Sequence, residues 1–202
     1  MLVKDKNINA FSEPYIIAEL SANHSGSIDR AKASIKAAAN VGVSAVKIQT
    51  YTPDSMTIKS NKPDFCINNG LWSGYTLYDL YKMAYTPYEW HKDLFLFAEK
   101  LGITLFSTPF DETAVDLLEE LNTPAYKIAS FEIIDIPLIE YIASKNKPIF
   151  LSTGMANEKE IGDAVNTALK FGNGDLILLH CVSGYPAPTA DYNLHTIQDM
   201  KK

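Results

Sequence analysis

The sequence has few cysteines and lacks any long apolar run. Cys66 and Cys181 are the only cysteines among 202 residues, and neither lies in a Cys-x-x-Cys pair. A disulfide framework is therefore not expected. No apolar stretch approaches the roughly 20 residues of a membrane-spanning helix, and residues 1–14 lack the apolar segment of a signal peptide. These absences predict a cytoplasmic protein that does not contact a membrane.

Three motifs of catalytic and cofactor-binding proteins are also missing. The four histidines form no His-x-x-x-His pair, so no metal site is predicted. No Gly-x-Ser-x-Gly segment is present to carry a nucleophilic serine. No Gly-x-Gly-x-x-Gly follows the first apolar run, which argues against a dinucleotide-binding fold. The net charge of −6 argues against non-specific binding to nucleic acid.

Continuous apolar runs alternate with amphipathic segments along the chain. Such runs are typical of parallel strands that helices cover, and the alternation predicts an α/β fold. The predicted strands are residues 15–20, 45–50, 104–107, 125–130, 148–152 and 176–181. The predicted helix N-caps are Ser27, Thr86, Asp111, Asp135 and Asn157.

Polar residues cluster at the C-terminal end of every predicted strand. This suits the mouth of a (β/α)8 barrel better than an open doubly wound sheet. Such a barrel usually takes about 250 residues, whereas six strand–helix units are predicted here. We therefore predict that residues 1–202 form an incomplete TIM barrel, the N-terminal part of a larger domain. Residues 51–85 are far longer than a usual barrel loop and are predicted to form a lid or an accessory helix.

Two lysines lie inside predicted strands. Lys47 is in residues 45–50 and Lys127 is in residues 125–130. An ammonium group is rarely buried without an anion or hydrogen-bond acceptors beside it. The two lysines occupy matching strand positions near several hydroxyl groups. They therefore favour a site for a phosphate or carboxylate over a pair of structural ion pairs.

Further candidates follow the first predicted strand. Glu19 closes this strand, and two roles remain open for it: general acid–base catalysis and pairing with a lysine. Asn23 and His24 lie in the next loop, where binding a substrate and shaping the turn are equally open.

Several segments resemble the sialic acid synthase family, in order along essentially the whole chain. The matching segments read IIAELSANHSG (16–26), VKIQT (46–50), STPF (107–110), YKIAS (126–130), LSTGM (151–155) and LHC (179–181). Within that family, GLWSGYTLYDLY (70–81) and YTPYEWH (85–91) are similar to the pseudaminic acid branch.

The resemblance implies roles for particular side chains, with Glu19, Lys47 and Lys127 as the catalytic residues. Glu19 matches the family's acidic residue near the reacting carbons. Gln49 and Tyr185 match positions that line the site, with Tyr185 on the sugar side. The residues implied to hold the phosphate and carboxylate of phosphoenolpyruvate are Lys47, Thr108, Lys127, Ser130 and Ser152.

The resemblance also implies a reaction. Phosphoenolpyruvate condenses with an open-chain N-acylated amino sugar, here a 2,4-diacetamido-2,4,6-trideoxy hexose, and phosphate is released. In the family a divalent cation, Mn²⁺ or Mg²⁺, assists, but its histidine ligands on strands seven and eight have no counterpart in this sequence. The family's C-terminal antifreeze-like domain, which reaches the partner's site in a homodimer, has no counterpart either. We therefore expect the 202-residue chain to be inactive alone.

Three alternatives remain open. The sugar could be that of an N-acetylneuraminate or a legionaminic acid synthase. Lys127 could instead be the nucleophile of a Schiff-base aldolase, because buried barrel lysines perform that chemistry. The chain could also be an inactive remnant that only binds anions.

Overall fold

The computed structural model describes residues 1–184 and 186–201, which fall into two units. One unit is Glu13–Thr123, and the other combines Met1–Ser12 with Pro124–Lys202. The strands are β1 (Leu2–Val3), β2 (Lys6–Asn7), β3 (Ile17–Glu19), β4 (Ala45–Thr50), β5 (Thr104–Pro109), β6 (Tyr126–Ile128), β7 (Ile149–Ser152) and β8 (Leu176–Leu179). The α-helices are α1 (Ile28–Asn40), α2 (Pro53–Met56), α3 (Leu77–Ala84), α4 (Tyr88–Lys100), α5 (Glu112–Glu120), α6 (Ile136–Ala143), α7 (Glu158–Phe171) and α8 (Thr196–Asp199). All six predicted strands are present, each within two residues of its predicted ends.

Three parallel strands form the sheet of the Glu13–Thr123 unit. β4 lies between β3 and β5, so that Lys47 is level with Glu19 and Gln49 is level with Thr108. Level residues on neighbouring parallel strands point to the same face, and residues two apart on one strand do so as well. Pairing register therefore gathers four candidate side chains on one face of this sheet.

The opposite face of these strands packs against α1 and α4. Val46 and Ile48 of β4 belong to the same buried cluster as Ile35 of α1 and Leu94 of α4. Burying each of these aliphatic side chains contributes about 1.5–3 kcal/mol. Alternation along β4 therefore directs apolar residues to the helices and Lys47 to the polar face.

Most helix starts follow the sequence prediction. The Ser27, Asp111, Asp135 and Asn157 side chains each accept a backbone N–H at the start of α1, α5, α6 and α7, respectively. The prediction for Thr86 was wrong. Pro87 occupies the N-cap of α4, and no side chain caps this helix. The Thr86 hydroxyl instead lies 3.4 Å from Nε2 of His24, so a tertiary contact replaces the local cap.

The predicted insertion, residues 51–85, contains α2, two short 3₁₀ turns and α3. The accessory helix is thereby confirmed. Tyr51 is buried, and its ring makes edge-on contacts with Tyr81 of α3 and with Phe110 at the end of β5. Burial raises the pKa of the Tyr51 phenol to about 12. One aromatic side chain thus ties the insertion to the ends of two strands.

The other unit contains the parallel strands β6, β7 and β8, with Lys127 level with Phe150 on β7. Buried Ile139 and Ile142 on α6 and buried Ala164 on α7 lie in two helices that pack together. β1 and β2 form an antiparallel hairpin that the sequence analysis did not predict, because two-residue strands carry no periodic pattern. No helix in the described part of the chain is long and apolar enough to cross a membrane.

Candidate active site

The first cluster surrounds Lys47 in the Glu13–Thr123 unit. The Lys47 Nζ lies 2.7 Å from Oε2 of Glu19 and donates to Oγ1 of Thr108 at 3.0 Å. Only 12% of the Lys47 side chain is exposed, against 44% for Glu19. The lysine therefore lies beneath the carboxylate, which remains accessible to solvent. Of the two roles left open for Glu19, pairing with a lysine is present in the structure.

Ser21 connects two of these candidates, and the sequence analysis missed it. Its backbone N–H donates to Oε1 of Glu19 at 2.9 Å. Its hydroxyl donates to Oε1 of Gln49 at 3.1 Å. Ser21 also has a positive φ of 47°, which local sequence rules reserve mainly for glycine or asparagine. No pattern in the sequence indicates such a conformation for a serine.

His24 and Asn23 are both engaged by the loop that contains them. His24 is fully buried, accepts the Gly26 N–H at Nδ1 and packs edge-on against Trp90. Burial lowers the pKa of the His24 imidazole. Asn23 is exposed, and its Nδ2 donates to the Leu20 carbonyl. The ring nitrogens of His24 thus shape the turn, whereas Asn23 remains exposed to solvent.

The second cluster surrounds Lys127 in the other unit. Lys127 is 8% exposed, and its Nζ donates to the Ile128 carbonyl at 2.8 Å and to Oγ of Ser152 at 2.5 Å. The Ser152 hydroxyl is 3.1 Å from Sγ of Cys181. The nearly buried amino group of Lys127 is therefore supplied with oxygen partners.

Gly154 leaves room for the hydroxyls of two serines, Ser130 and Ser183, beside its backbone. The Gly154 N–H donates to Oγ of Ser130 at 3.2 Å. A Cβ atom at Gly154 would lie 2.5 Å from Oγ of Ser183 and 3.0 Å from Oγ of Ser130. Any side chain at position 154 would therefore displace the hydroxyls of Ser130 and Ser183.

Glu132 is a candidate that the sequence analysis did not identify. It opens the 3₁₀ turn Glu132–Ile134 shortly after β6, and its Oε2 is buried without a hydrogen-bond partner among the described residues. Burial raises the pKa of the Glu132 carboxyl, and the positive charge of Lys127 acts in the opposite direction. The available signal was a single acid in the apolar run FEII (131–134), directly after the strand of Lys127.

The chemistry of each cluster suits an anion. In both clusters a lysine is combined with a hydroxyl, which supplies positive charge together with a neutral donor. Tyr185, the predicted residue on the sugar side, lies outside the described residues. Within residues 1–184 and 186–201, no three His, Cys, Asp or Glu side chains are grouped so that they could hold a metal ion.

Comparison with known proteins supplies the wider context. A model of the NeuB family matches residues 34–202. The pseudaminic acid synthase of Campylobacter jejuni is 47% identical over 196 residues, which cover 97% of this chain and 57% of that protein. The pseudaminic acid synthase of Helicobacter pylori is 49% identical over 181 residues, 90% of this chain and 53% of that protein. The chain thus spans little more than half the length of these curated relatives.

A solved structure shows the same architecture. The spore coat polysaccharide biosynthesis protein SpsE of Bacillus subtilis matches 99% of this chain and 52% of its own, with a TM-score of 0.83 at 34% identity. The predicted fold class, an α/β incomplete TIM barrel with six strand–helix units, is confirmed.

Proposed function

The chain belongs to the NeuB family, as its resemblance to sialic acid synthases predicted, and from this premise we propose that it is the N-terminal part of a pseudaminic acid synthase. Such an enzyme condenses phosphoenolpyruvate with an open-chain 2,4-diacetamido-2,4,6-trideoxy hexose. The observation that carries the choice of sugar is the 47–49% identity to relatives bearing that name. The proposal keeps the homodimer that the resemblance implied and the cytoplasmic location that the sequence predicted.

The Lys47 cluster is proposed to bind one anionic group of phosphoenolpyruvate. Its support is the nearly buried ammonium that already contacts a carboxylate and a hydroxyl, Glu19 and Thr108. A phosphate or carboxylate that replaces the Glu19 contact would meet the same charge and the same donor. Release from Lys47 would leave the Glu19 carboxylate facing solvent and able to accept a proton.

The Lys127 cluster is likewise proposed to bind an anionic group, as the resemblance implied. Ser152 and Ser130 supply hydroxyls, and the close approach at Gly154 leaves its backbone near them. Preorganised donors of this kind stabilise charge without reorganising during the reaction.

Glu132 is proposed as a general acid–base group. A half-buried carboxyl with a raised pKa exchanges protons more readily near neutral pH than an exposed one does. Gln49 and Tyr185 are proposed to line the sugar side, together with Asn23. His24 is proposed to act indirectly, by holding the loop that carries Asn23, because both of its ring nitrogens face protein atoms.

The proposed reaction balances without a redox step. The C3 carbon of phosphoenolpyruvate forms a bond with the aldehyde carbon of the sugar, whose oxygen gains a proton. Water adds to the electron-poor C2 and releases one proton, which balances that gain. Collapse of the intermediate breaks the bond between C2 and the phosphate oxygen, and the C2 hydroxyl becomes the keto group as its proton leaves with the phosphate. The divalent cation implied by the resemblance does not fit any group of described residues, so no step is assigned to it.

The test compares two proteins with three sugars. One protein is the 202-residue chain, and the other is this chain followed by the remaining C-terminal part of the Campylobacter jejuni relative. We expect phosphate release by the fusion with the 2,4-diacetamido hexose, slower release with its legionaminic stereoisomer and with N-acetylmannosamine, and none by the chain alone. Preference for either other sugar would overturn the sugar assignment, and no turnover by the fusion would overturn the function.

The Schiff-base alternative makes a separate prediction. The Lys127 Nζ is engaged in hydrogen bonds with two oxygen atoms, the Ile128 carbonyl and the Ser152 hydroxyl, which argues against its use as a free nucleophile. Borohydride should therefore trap no adduct between Lys127 and pyruvate. Mass spectrometry of the treated protein measures this directly, and a trapped adduct would establish the aldolase instead.

A further inference from the structure

We propose that Ser21 is a positioning residue that fixes the carboxamide of Gln49 for binding the substrate. This inference deepens the proposed function and rests on it for the identity of the substrate. It is drawn from three observations: the backbone conformation of Ser21, its two hydrogen bonds, and the absence of other partners for Gln49 among the described residues.

The backbone of Ser21 is in the left-handed region, with a φ of 47°. Glycine adopts this region freely, whereas a residue with a Cβ atom is uncommon there and is strained. Ser25, four residues later, is similar, with a φ of 45°. The loop therefore contains two serines at positions where glycine would be easier to accommodate.

The two hydrogen bonds of Ser21 differ in what they require of the side chain. The bond to Oε1 of Glu19 comes from the backbone N–H, and a glycine would keep it. The bond to Oε1 of Gln49 comes from the hydroxyl, and neither glycine nor alanine could make it. The contact with Gln49 is therefore what a serine adds at this position.

This contact determines which end of the Gln49 amide is available. Ser21 takes the carbonyl oxygen, and no other residue in the described part of the chain bonds to this side chain. The half-buried amide therefore keeps both Nε2 hydrogens for a ligand. An uncharged donor beside the Lys47 cluster suits an uncharged acceptor, a hydroxyl or acyl carbonyl oxygen of the sugar, better than it suits the anions.

The chain allows a direct measurement because it contains two glutamines, Gln49 and Gln198. Glutamine labelled with ¹⁵N at the side-chain amide gives two pairs of signals, and the exposed Gln198 is an internal reference. We expect a rigid Gln49 amide in the 202-residue chain, measured by its heteronuclear NOE. In Ser21→Ala and in Ser21→Gly this amide should become as mobile as that of Gln198. An unchanged Gln49 NOE in both variants would overturn the proposal.

Stability separates positioning from a purely structural role. Ser21→Gly relieves the strained backbone and Ser21→Ala does not. The glycine variant should therefore melt about 2–4 °C higher than the alanine variant, for a chain of this size. Ser25→Gly is the matched control, because it relieves the same strain in the same loop and leaves both hydrogen bonds of Ser21 in place. It should leave the Gln49 signal unchanged.

The same variants, made in the fusion protein, should show a matching kinetic pattern. Losing one neutral hydrogen bond should raise KM for the sugar about five- to tenfold in both Ser21 variants, with KM for phosphoenolpyruvate unchanged. A rise in KM for the sugar that occurs in Ser21→Ala and not in Ser21→Gly would parallel the difference in stability, and it would overturn the positioning role. If the unmodified fusion shows no turnover, the proposed function fails, and the NMR comparison still decides whether Ser21 positions Gln49.

Discussion

The side chains of Lys47 and Lys127 show how a nearly buried charge is retained. Each ammonium loses most of its water and regains polar contacts from groups within a few residues of a strand end. Such an arrangement stabilises the protein little, because the cost of dehydration offsets most of the Coulomb attraction. The lysines are therefore better explained by binding than by stability.

Replacing Lys47 should reduce activity far more than stability. Lys47→Met keeps the length of the side chain and removes its charge. In the fusion protein we expect kcat to fall about 10²–10³-fold, as when one donor to a developing charge is lost. Unfolding should become easier by no more than about 1 kcal/mol, since the Glu19 partner stays partly hydrated. Lys32→Met, which breaks a more exposed ion pair with Asp93 in the same unit, is the control and should keep full activity.

Replacing Glu132 should stabilise the protein while it impairs catalysis. Burial raises the pKa of this carboxyl, so the stability gained by its protonated form is present below about pH 4.5 and is lost as the pH rises through the folded-state pKa. The glutamine in Glu132→Gln stays neutral at every pH. The free energy of unfolding of this variant at pH 7.5 should therefore be about 1 kcal/mol higher than that of the unmodified chain. Urea unfolding at pH 4.5 and pH 7.5 measures the difference, which should vanish at the lower pH. A variant that is less stable at pH 7.5 would contradict the burial argument.

Among the elements, the parallel strands carry the two lysines of the candidate site, and the turns after them add further polar groups. The six strands and four of the helix caps could be predicted, because each depends on residues within one turn or one strand. Ser27, Asp111, Asp135 and Asn157 bond to N–H groups three residues away, and local sequence determines such bonds.

The features that sequence did not predict depend on contacts between elements. Thr86 has the local pattern of a cap and instead contacts His24, which is 62 residues away. Ser21 became a candidate only when the pairing of β3 with β4 brought Gln49 beside it, and Glu132 only when the fold showed that its carboxyl is buried. Sequence reasoning identified the lysines on the strands and Asn23 and His24 in the first loop, whereas Ser21 and Glu132 required the fold.

A side chain at Gly154 should disrupt the turn after β7. Gly154→Ala places a Cβ atom 2.5 Å from Oγ of Ser183 and 2.8 Å from the Cys181 carbonyl. We expect a loss of about 1–3 kcal/mol in unfolding free energy, as for other overpacked positions. Affinity for phosphoenolpyruvate, measured by calorimetry on the fusion, should fall as well. Gly162→Ala is the matched control, because its Cβ would meet open space on α7, and it should slightly stabilise the helix. Equal stability of the two variants would contradict this account.

At the scale of the whole molecule, acid should destabilise the chain through two buried histidines of one unit. His91 bonds to the Pro87 carbonyl and to Oγ1 of Thr50, and burial lowers the pKa of both His91 and His24. In the unfolded chain these rings take up protons near pH 6.5, so stability is present above that pH and is lost as the pH falls below it. The urea midpoint should therefore drop between pH 7.5 and pH 5.5.

Double replacement of the histidines, His24→Asn with His91→Gln, should flatten this dependence. The comparison is made in the Glu132→Gln background, because Glu132 acts in the opposite direction above pH 4.5. If the urea midpoint of the double variant still fell by the full amount between pH 7.5 and pH 5.5, other groups would be responsible for the acid sensitivity.

The anchoring of the insertion by Tyr51 has an optical consequence in alkali. Ionised tyrosine absorbs near 295 nm, and an ordinary phenol ionises near pH 10, whereas Tyr51 ionises only at about pH 12 while it stays packed between Tyr81 and Phe110. Ionising Tyr51 and releasing residues 51–85 from the strand ends are therefore linked events. A late rise in absorbance, absent from Tyr51→Phe, would report when this segment detaches, without any label attached to the protein.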